Sequence, residues 1–471
     1  MITGDTLIAW GFKPAAWFKA AIAEGNRLAL AGADEDAVFA AVQAFVPIET
    51  QLRTSGIDYA MFLDAETPEE EANKREVARH MDALLRVPTI VGAAVMPDAC
   101  PSGGQPGTIP VGGAVATKDA IHPGFHSADI CCSVAITVLN RREDLAKVLD
   151  AVQAVTHFGP GSRRDVIEPP AELMAEISAN RFLKGLEAQA RFGFATQGDG
   201  NHFAFVGTLA SADRPALVTH HGSRGLGAQL YKRGMAVARK HTAIHAPRVP
   251  AHNAWIDAES EDGRAYWEAL QIVRAWTKAS HFAIHDLAAH KLGTKTAGRF
   301  WNEHNFVFRK TDGLFYHGKG ATPSWAGFSA DDAGLTLIPL NMAEPVLVTR
   351  HSDRTDALGF APHGAGRNAS RSAFLRAHAG RPSAELAAHY APGVDIRSWC
   401  GALDVSELPG AYKSAAAVRS QIGKYGLAEV VDEVRPDGSV MAGDWMQDPP
   451  WRQKKRARDA ARDAERAAEA D

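Results

Sequence analysis

The chain has 471 residues, 46% of them apolar and 23% charged, enough to bury a large core with the balance of a soluble globular protein. A formal net charge of −4 argues against a protein that coats nucleic acid non-specifically, while leaving room for a local basic groove. Four cysteines, two of them adjacent (Cys131 and Cys132), give no disulfide framework and suit a reducing compartment.

The opening stretch, Met1 to Phe18, lacks the basic segment and apolar run of a secretory leader. No uninterrupted apolar run approaches the ~20 residues that cross a bilayer, so a cytoplasmic protein with no membrane partner is expected. Short amphipathic helices are predicted over 14–24 and 35–45. A clear helix follows over 67–85, acidic in its first turn and carrying Arg and His later. From about 89 to 139, apolar runs broken by Gly and Pro read as strands joined by glycine-rich turns. Helices are predicted over 143–155, 170–190 and 226–246, with a strand from Pro215 to Gly222 running into a motif turn. The longest helix spans 262–292, and strand-like pieces (NFVF, LFYHG, LTLIPL, PVLVT) come after it. Residues 446–471 end in WRQKKRARDAARDAERAAEAD, which is almost wholly Arg, Lys, Asp, Glu and Ala. They read as a charged tail, helical or frayed, with a nucleic-acid-contacting arm as the alternative because Lys454, Lys455, Arg456 and Arg458 cluster.

Chemistry concentrates in a few polar turns beside strands. His202, His220 and His304 each stand where such a turn meets an apolar run, and Asp129 and Cys132 share that setting. A thiolate, a carboxylate and imidazoles form a plausible transition-metal set, zinc included, although no HExxH or paired CxxC spacing specifies it. The turn HGAGR, from His363 to Arg367, is glycine-rich and basic, with Arg371 four residues further on. Gly364 and Gly366 would let a phosphoryl group approach the backbone, and Arg367 can hold phosphate oxygens bidentately. A neutral imidazole there can attack phosphorus. Equally, HGAGR can be an ordinary phosphate-binding turn whose histidine only hydrogen-bonds.

The order of the motifs is more specific than any one of them. MPD from Met96, IPVGG from Ile109, VAT from Val115, DICC from Asp129, GNHF from Gly200 and HHGSRGLG from His220 come first. EHN from Glu303, HGKGAT from His317, PLNM from Pro339, HGAGR from His363 and AYK from Ala411 follow. In this order, from about Ile2 to Gly443, the chain resembles the RtcB family of GTP-dependent RNA ligases. The resemblance implies an α+β fold: a single large catalytic domain over 1–445, with mixed sheets and surrounding helices. It implies two manganese ions bridged by Cys132, one completed by Asp129 and His202, the other by His220 and His304. It implies that His363 carries the nucleotide. Asn201, His202, Asn305, Asn341, Met342, Gly364, Ala365 and Gly366 would lie around that nucleotide, and Arg224, Lys319 and Arg367 would meet RNA or phosphate. The implied reaction joins an RNA 3′-phosphate or 2′,3′-cyclic phosphate to a 5′-hydroxyl, using GTP or another triphosphate, as in tRNA splicing or RNA repair. The implied partners are RNA with broken ends and an activating protein, the chain being a monomer or weak oligomer. The alternatives are a metal-dependent phosphoesterase that opens cyclic phosphates without a nucleotide step, and a non-catalytic RNA-end binding protein.

The chain also departs from the family's pattern. Cys131 stands for a glycine, Phe205 for a glutamate, Gly318 for an arginine and Leu340 for a glycine. Cys100 stands for a histidine, His221 for a serine and Ala442 for a lysine. These changes spare the metal set and the attacking histidine and fall heavily on the nucleotide pocket.

Overall fold

The computed structural model describes residues 1–14, 17–46 and 49–444. The charged tail over 446–471 lies outside the described residues. The fold is α+β, with mixed sheets and flanking helices as expected.

Helix boundaries follow from local chemistry. Pro68–Leu84 begins after Thr67, whose side chain accepts from the Glu70 amide, with Pro at the start and Glu69, Glu70 and Glu71 in the first turn. Glu261–Leu292 is capped by the Ser260 side chain and stops at Gly293, which takes the left-handed conformation that ends helices. Glu35–Gln43, Leu145–Val155 and Arg224–His245 stand close to their predicted spans. The helix predicted over 14–24 instead starts at Phe18 and runs on to Leu30, burying Phe18, Ala21 and Gly25.

The helix predicted over 170–190 is two helices, Ala171–Ala179 and Glu187–Gly193. Asn180 causes the break. Its Oδ1 accepts from the Phe182 amide and its amide donates to the Ala265 carbonyl, so the side chain competes with the helical ladder.

Two sheets carry the architecture. The first has five strands, in the order Ala60–Met61, Ile90–Cys100, Val111–Thr117, Phe315–Lys319 and Asn305–Arg309. The second has eight: Leu335–Pro339, Val346–His351, Ala428–Met441, Phe203–Leu209, Arg214–His221, Ser133–Leu139 and Thr296–Glu303 in order, with Asp395–Ser398 also on Ala428–Met441. Sequence reasoning missed the strand Ala428–Met441. It contains Pro436 and Gly438, normally strand breakers, and its register shifts between those two residues. One face of the second sheet buries Val134, Ile136, Phe205, Val218 and Val346. The other receives the long helix Glu261–Leu292. There His281 and His285 bond Ser133, Thr219 and Thr137, fixing the helix to the strands that lead into the motifs. No helix among the described residues is long and apolar enough to cross a membrane.

Candidate metal centre and nucleotide cavity

Neighbouring antiparallel strands of the second sheet deliver the metal-candidate side chains to one edge. His202 immediately precedes Phe203–Leu209 and His220 lies near the end of Arg214–His221, with Phe203 registered against His220. Cys132 immediately precedes Ser133–Leu139, and Ser133 faces His221 on one side and Glu303 on the other. His304 directly follows Glu303, and its amide donates to the Cys132 carbonyl at 2.9 Å. Register alone therefore sets these residues side by side.

Their donor atoms converge. Cys132 Sγ is 3.1 Å from His220 Nε2 and 3.4 Å from His202 Nε2. His202 Nε2 is 3.1 Å from Asp129 Oδ2, and the Nε2 atoms of His220 and His304 are 3.2 Å apart. The donors form two triads, Cys132–His220–His304 and Asp129–Cys132–His202, with Cys132 common to both.

The residues fit a cation. The Asn201 carbonyl, 3.0 Å from His220 Nδ1, can only accept, so that nitrogen carries the proton and Nε2 presents a lone pair. Burial pushes the His220 imidazole down to about 3, with His202 adding to the shift, and holds His304 well below its ordinary value, with His363 and His220 beside it. Both rings are thus held neutral, and His220 presents its Nε2 lone pair to the cluster. Burial, and then the Asp129 carboxylate, push the Cys132 thiol up. A bound cation would take up the His220 lone pair and draw the thiol to thiolate. Gly222 makes room for this geometry, because a Cβ there would stand 1.9 Å from Asp129 Oδ1.

Cys131 takes no part in it. It holds a left-handed backbone (φ 60°), its amide donates to the Asn305 carbonyl, and its thiol faces Thr277, Glu303 and Arg274.

A cavity of about 320 Å³ opens from the cluster. Asp129, Cys132, Asn201, His220, His304 and Asn305 line it, as do Lys319, Asn341, Met342 and the run His363 to Arg367. His363 faces the cluster, its ring centroid 4.9 Å from that of His304. Behind it, buried Asp98 accepts from both the His363 amide at 3.0 Å and Nδ1 at 2.5 Å. Nδ1 is therefore protonated, and Nε2 is the free nitrogen.

The two other histidines in comparable motifs are separated from this role by position. His221 is buried and stacked on His281 at 3.5 Å, and His317 is buried with its Nε2 accepting from the His122 amide. Neither lines the cavity.

Several sequence expectations need revision. Gly366 does not chiefly make room for phosphate: a Cβ on it would meet the Asp98 carbonyl oxygen at 1.9 Å, and its φ is +73°. Its glycine seats the His363 turn against the strand that holds Asp98. Arg367 lines the cavity, but its guanidinium already donates to the Ala369 and Ser406 carbonyls and to Glu407. Arg224 does not line the cavity, and it bonds Thr196 and the Gly159 carbonyl. Arg371 is the guanidinium with donors to spare. Its Nε holds Glu407 at 2.6 Å, and its terminal nitrogens have no hydrogen-bond partner among the described residues. Asn305 uses its Oδ1 on the Gly320 amide, leaving its Nδ2 for the cavity. Lys319 bonds Ser102 and the Ile109 carbonyl, and burial draws its ammonium down to about 8. Asp98 was visible only as part of MPD, because nothing in the spacing connects it with a histidine 265 residues away.

The family model described as tRNA-splicing ligase RtcB matches residues 170–442. The chain belongs to the RtcB family. It is 26% identical over 448 residues to the tRNA-splicing ligase RtcB of Thermococcus kodakarensis, covering 78% of this chain and 91% of that one. It is 28% identical over 289 residues to the tRNA-splicing ligase RtcB of Pyrococcus abyssi, where the match spans 51% of this chain but only 30% of the relative's length. The RNA-splicing ligase RtcB2 of Escherichia coli is 25% identical over 386 residues, covering 76% of this chain and 90% of that one. Identities this low mark a divergent member.

Proposed function

We propose that the protein is an RNA ligase that joins a 3′-phosphate or 2′,3′-cyclic phosphate end to a 5′-hydroxyl end through a nucleotide carried on His363. The observation that carries this reading is the placement of His363, anchored through Nδ1 by buried Asp98 with its free Nε2 in the cavity that contains the cluster. Family membership supports the RNA ligase class.

The chemistry follows from that geometry. His363 Nε2 attacks the α-phosphorus of a nucleoside triphosphate. An N–P bond forms as the bond to pyrophosphate breaks, and pyrophosphate leaves with its electron pair. Asp98 keeps the proton on Nδ1 and compensates the positive charge that grows on the ring. Arg371 and Asn305 offer donors to phosphate oxygens at the cavity wall. A 2′,3′-cyclic end is first opened by water, which bonds to phosphorus as the P–O2′ bond breaks and O2′ takes a proton, leaving a 3′-phosphate. An oxygen of the RNA 3′-phosphate then takes the nucleotide from His363, breaking the N–P bond. Finally the 5′-hydroxyl attacks the activated RNA phosphate, and the nucleoside monophosphate departs. A pair of metal ions held by Asp129, Cys132, His202, His220 and His304, manganese by family resemblance, would supply positive charge at the phosphates throughout.

The test is intact mass after incubation with manganese and a triphosphate, together with gel assays of RNA joining. A gain of one nucleoside monophosphate is expected, acid-labile and lost in His363→Ala. His363→Ala should keep its metal and RNA binding and join no ends. An adduct of normal yield in that variant, or one mapped to His221 or His317, would overturn the proposal. Opening of cyclic phosphates with no adduct under any condition would identify a phosphoesterase instead.

A further inference from the structure

The nucleotide cavity has one wall that the proposed chemistry leaves unexplained. Phe203 and Phe205 project from one strand, and Met441 and Ser439 are their registered partners on the next. Residues two apart on a strand share a face, so these four side chains form one surface running away from His202 and the cluster. Met342 and Val346 extend it. It is apolar and aromatic apart from one group. The Ser439 hydroxyl is buried, lines the cavity and has no hydrogen-bond partner. A buried hydroxyl left unpaired is costly, and a ligand that reaches it would remove the cost.

No carboxylate in the cavity is free to read a base. Two carboxylates line the cavity. Asp129 lies in the metal-candidate cluster, 3.1 Å from His202. Glu407 accepts from Arg371 at 2.6 Å, from the Tyr412 hydroxyl at 2.5 Å and from Arg367 at 3.4 Å. Guanine presents adjacent donors on its pairing edge, N1–H and N2–H₂, which a free carboxylate matches. Adenine presents one donor and one acceptor. A serine hydroxyl can donate to one base and accept from another, so it matches neither exclusively.

We infer that this cavity selects its triphosphate by the phosphates and by stacking on this wall, with Ser439 as the wall's one polar side chain at the base edge, so that ATP is accepted about as readily as GTP. The inference rests on the ligase reading and deepens it. Discrimination of about 10⁴-fold arises where a site's own buried polar groups are left unpaired by the wrong ligand. One hydroxyl able to pair either way does not provide that.

The experiment measures the rate of adduct formation on the full-length protein by intact mass, with manganese and ATP or GTP at equal concentration. ATP and GTP rates within about fivefold of each other are expected, and a larger preference for either overturns the inference while leaving the ligase reading intact. No adduct with either nucleotide sinks both. Ser439→Ala is expected to slow adduct formation with both nucleotides by several-fold to tenfold, and unchanged rates with both would overturn the role given to the hydroxyl. Phe205→Glu supplies the missing carboxylate and is expected to raise the GTP-to-ATP ratio at least tenfold. Ser439→Asp on the facing strand makes the same test should the first variant not fold. An unchanged ratio in a folded variant with normal metal content would count against the wall as the base subsite.

Discussion

The contact between Asp98 and His363 makes a quantitative prediction. Asp98 is fully buried, and its Oδ2 accepts from both the His363 amide and Nδ1, while its Oδ1 has no partner. Asp98→Asn keeps the shape and removes the charge. If the amide oxygen takes the position of Oδ2, the tautomer survives but the charge assistance is lost. A hydrogen bond to a charged group is worth about 1.5–3 kcal/mol, and the ring becomes more positive as Nε2 attacks, so the barrier should rise by a similar amount. At about 1.4 kcal/mol per tenfold, that is a slowing of roughly 10- to 150-fold. If the amide nitrogen turns toward His363 instead, the ring must carry its proton on Nε2, and attack stops. Single-turnover adduct formation followed by intact mass, with metal content measured in parallel, gives the assay. Asp98 is no member of either triad, so metal content should not change. A rate within twofold of wild type would refute the positioning role. A parallel loss of metal would show that Asp98 acts on the fold rather than on the histidine.

Two further predictions concern the cluster and its surroundings. Cys132→Ala should lose bound metal and activity because Cys132 belongs to both triads, whereas Cys131→Ala should keep both, since that thiol faces Thr277 and Arg274. Elemental analysis of the two purified variants decides, and unchanged metal in the Cys132 variant would remove it from the ligand set. Acid should unfold the metal-free protein early. Burial draws His122, His221 and His285 down to about 3 and His126 down to about 4. Their folded values lie below the unfolded one, so the stability they allow is present above pH 6.5 and is lost as pH falls below it. Between pH 7 and 5.5 each should cost about 1.2 kcal/mol, roughly 5 kcal/mol together, comparable with the whole stability of many domains. Urea midpoints that stay level over this range would show that these rings accept protons in the folded state.

The metal-candidate set was legible because each member is local in sequence: a polar turn beside an apolar run, at the end of a strand. Sequence reading could find all five donors without knowing the sheet order. It could not find Asp98 as the partner of His363, because that contact joins residues 265 positions apart and neither motif implies the other. The glycine at 366 was visible, but its reason was not, since the atom it avoids belongs to Asp98 on a distant strand. Arg367 and Arg371 looked alike in sequence. Only the surroundings of each show that every nitrogen of Arg367 is engaged within the protein while Arg371 is held through Nε alone among the described residues. The strand Ala428–Met441 stayed hidden because its bulge carries the proline and glycine that ordinarily argue against a strand.

The distribution of departures from the family pattern has a physical logic. At the metal-candidate end, backbone hydrogen bonds place the donors. His304 is tied to Cys132 by its amide, Cys131 to Asn305, and His220 stands in register with Phe203. One change at this end, cysteine for glycine at 131, keeps a left-handed backbone that a side chain occupies only with strain. The base end is built differently. Its wall is a set of side chains standing on paired strands, and Phe205 or Ser439 can be exchanged for another residue without moving the main chain that holds the donors. Selection for the joining chemistry would therefore hold the first end fixed while leaving the second free to drift. The residues that read the nucleotide are the ones on which divergent members should differ most, and measured nucleotide preference is a better guide to this chain's particular role than the identity of its cluster.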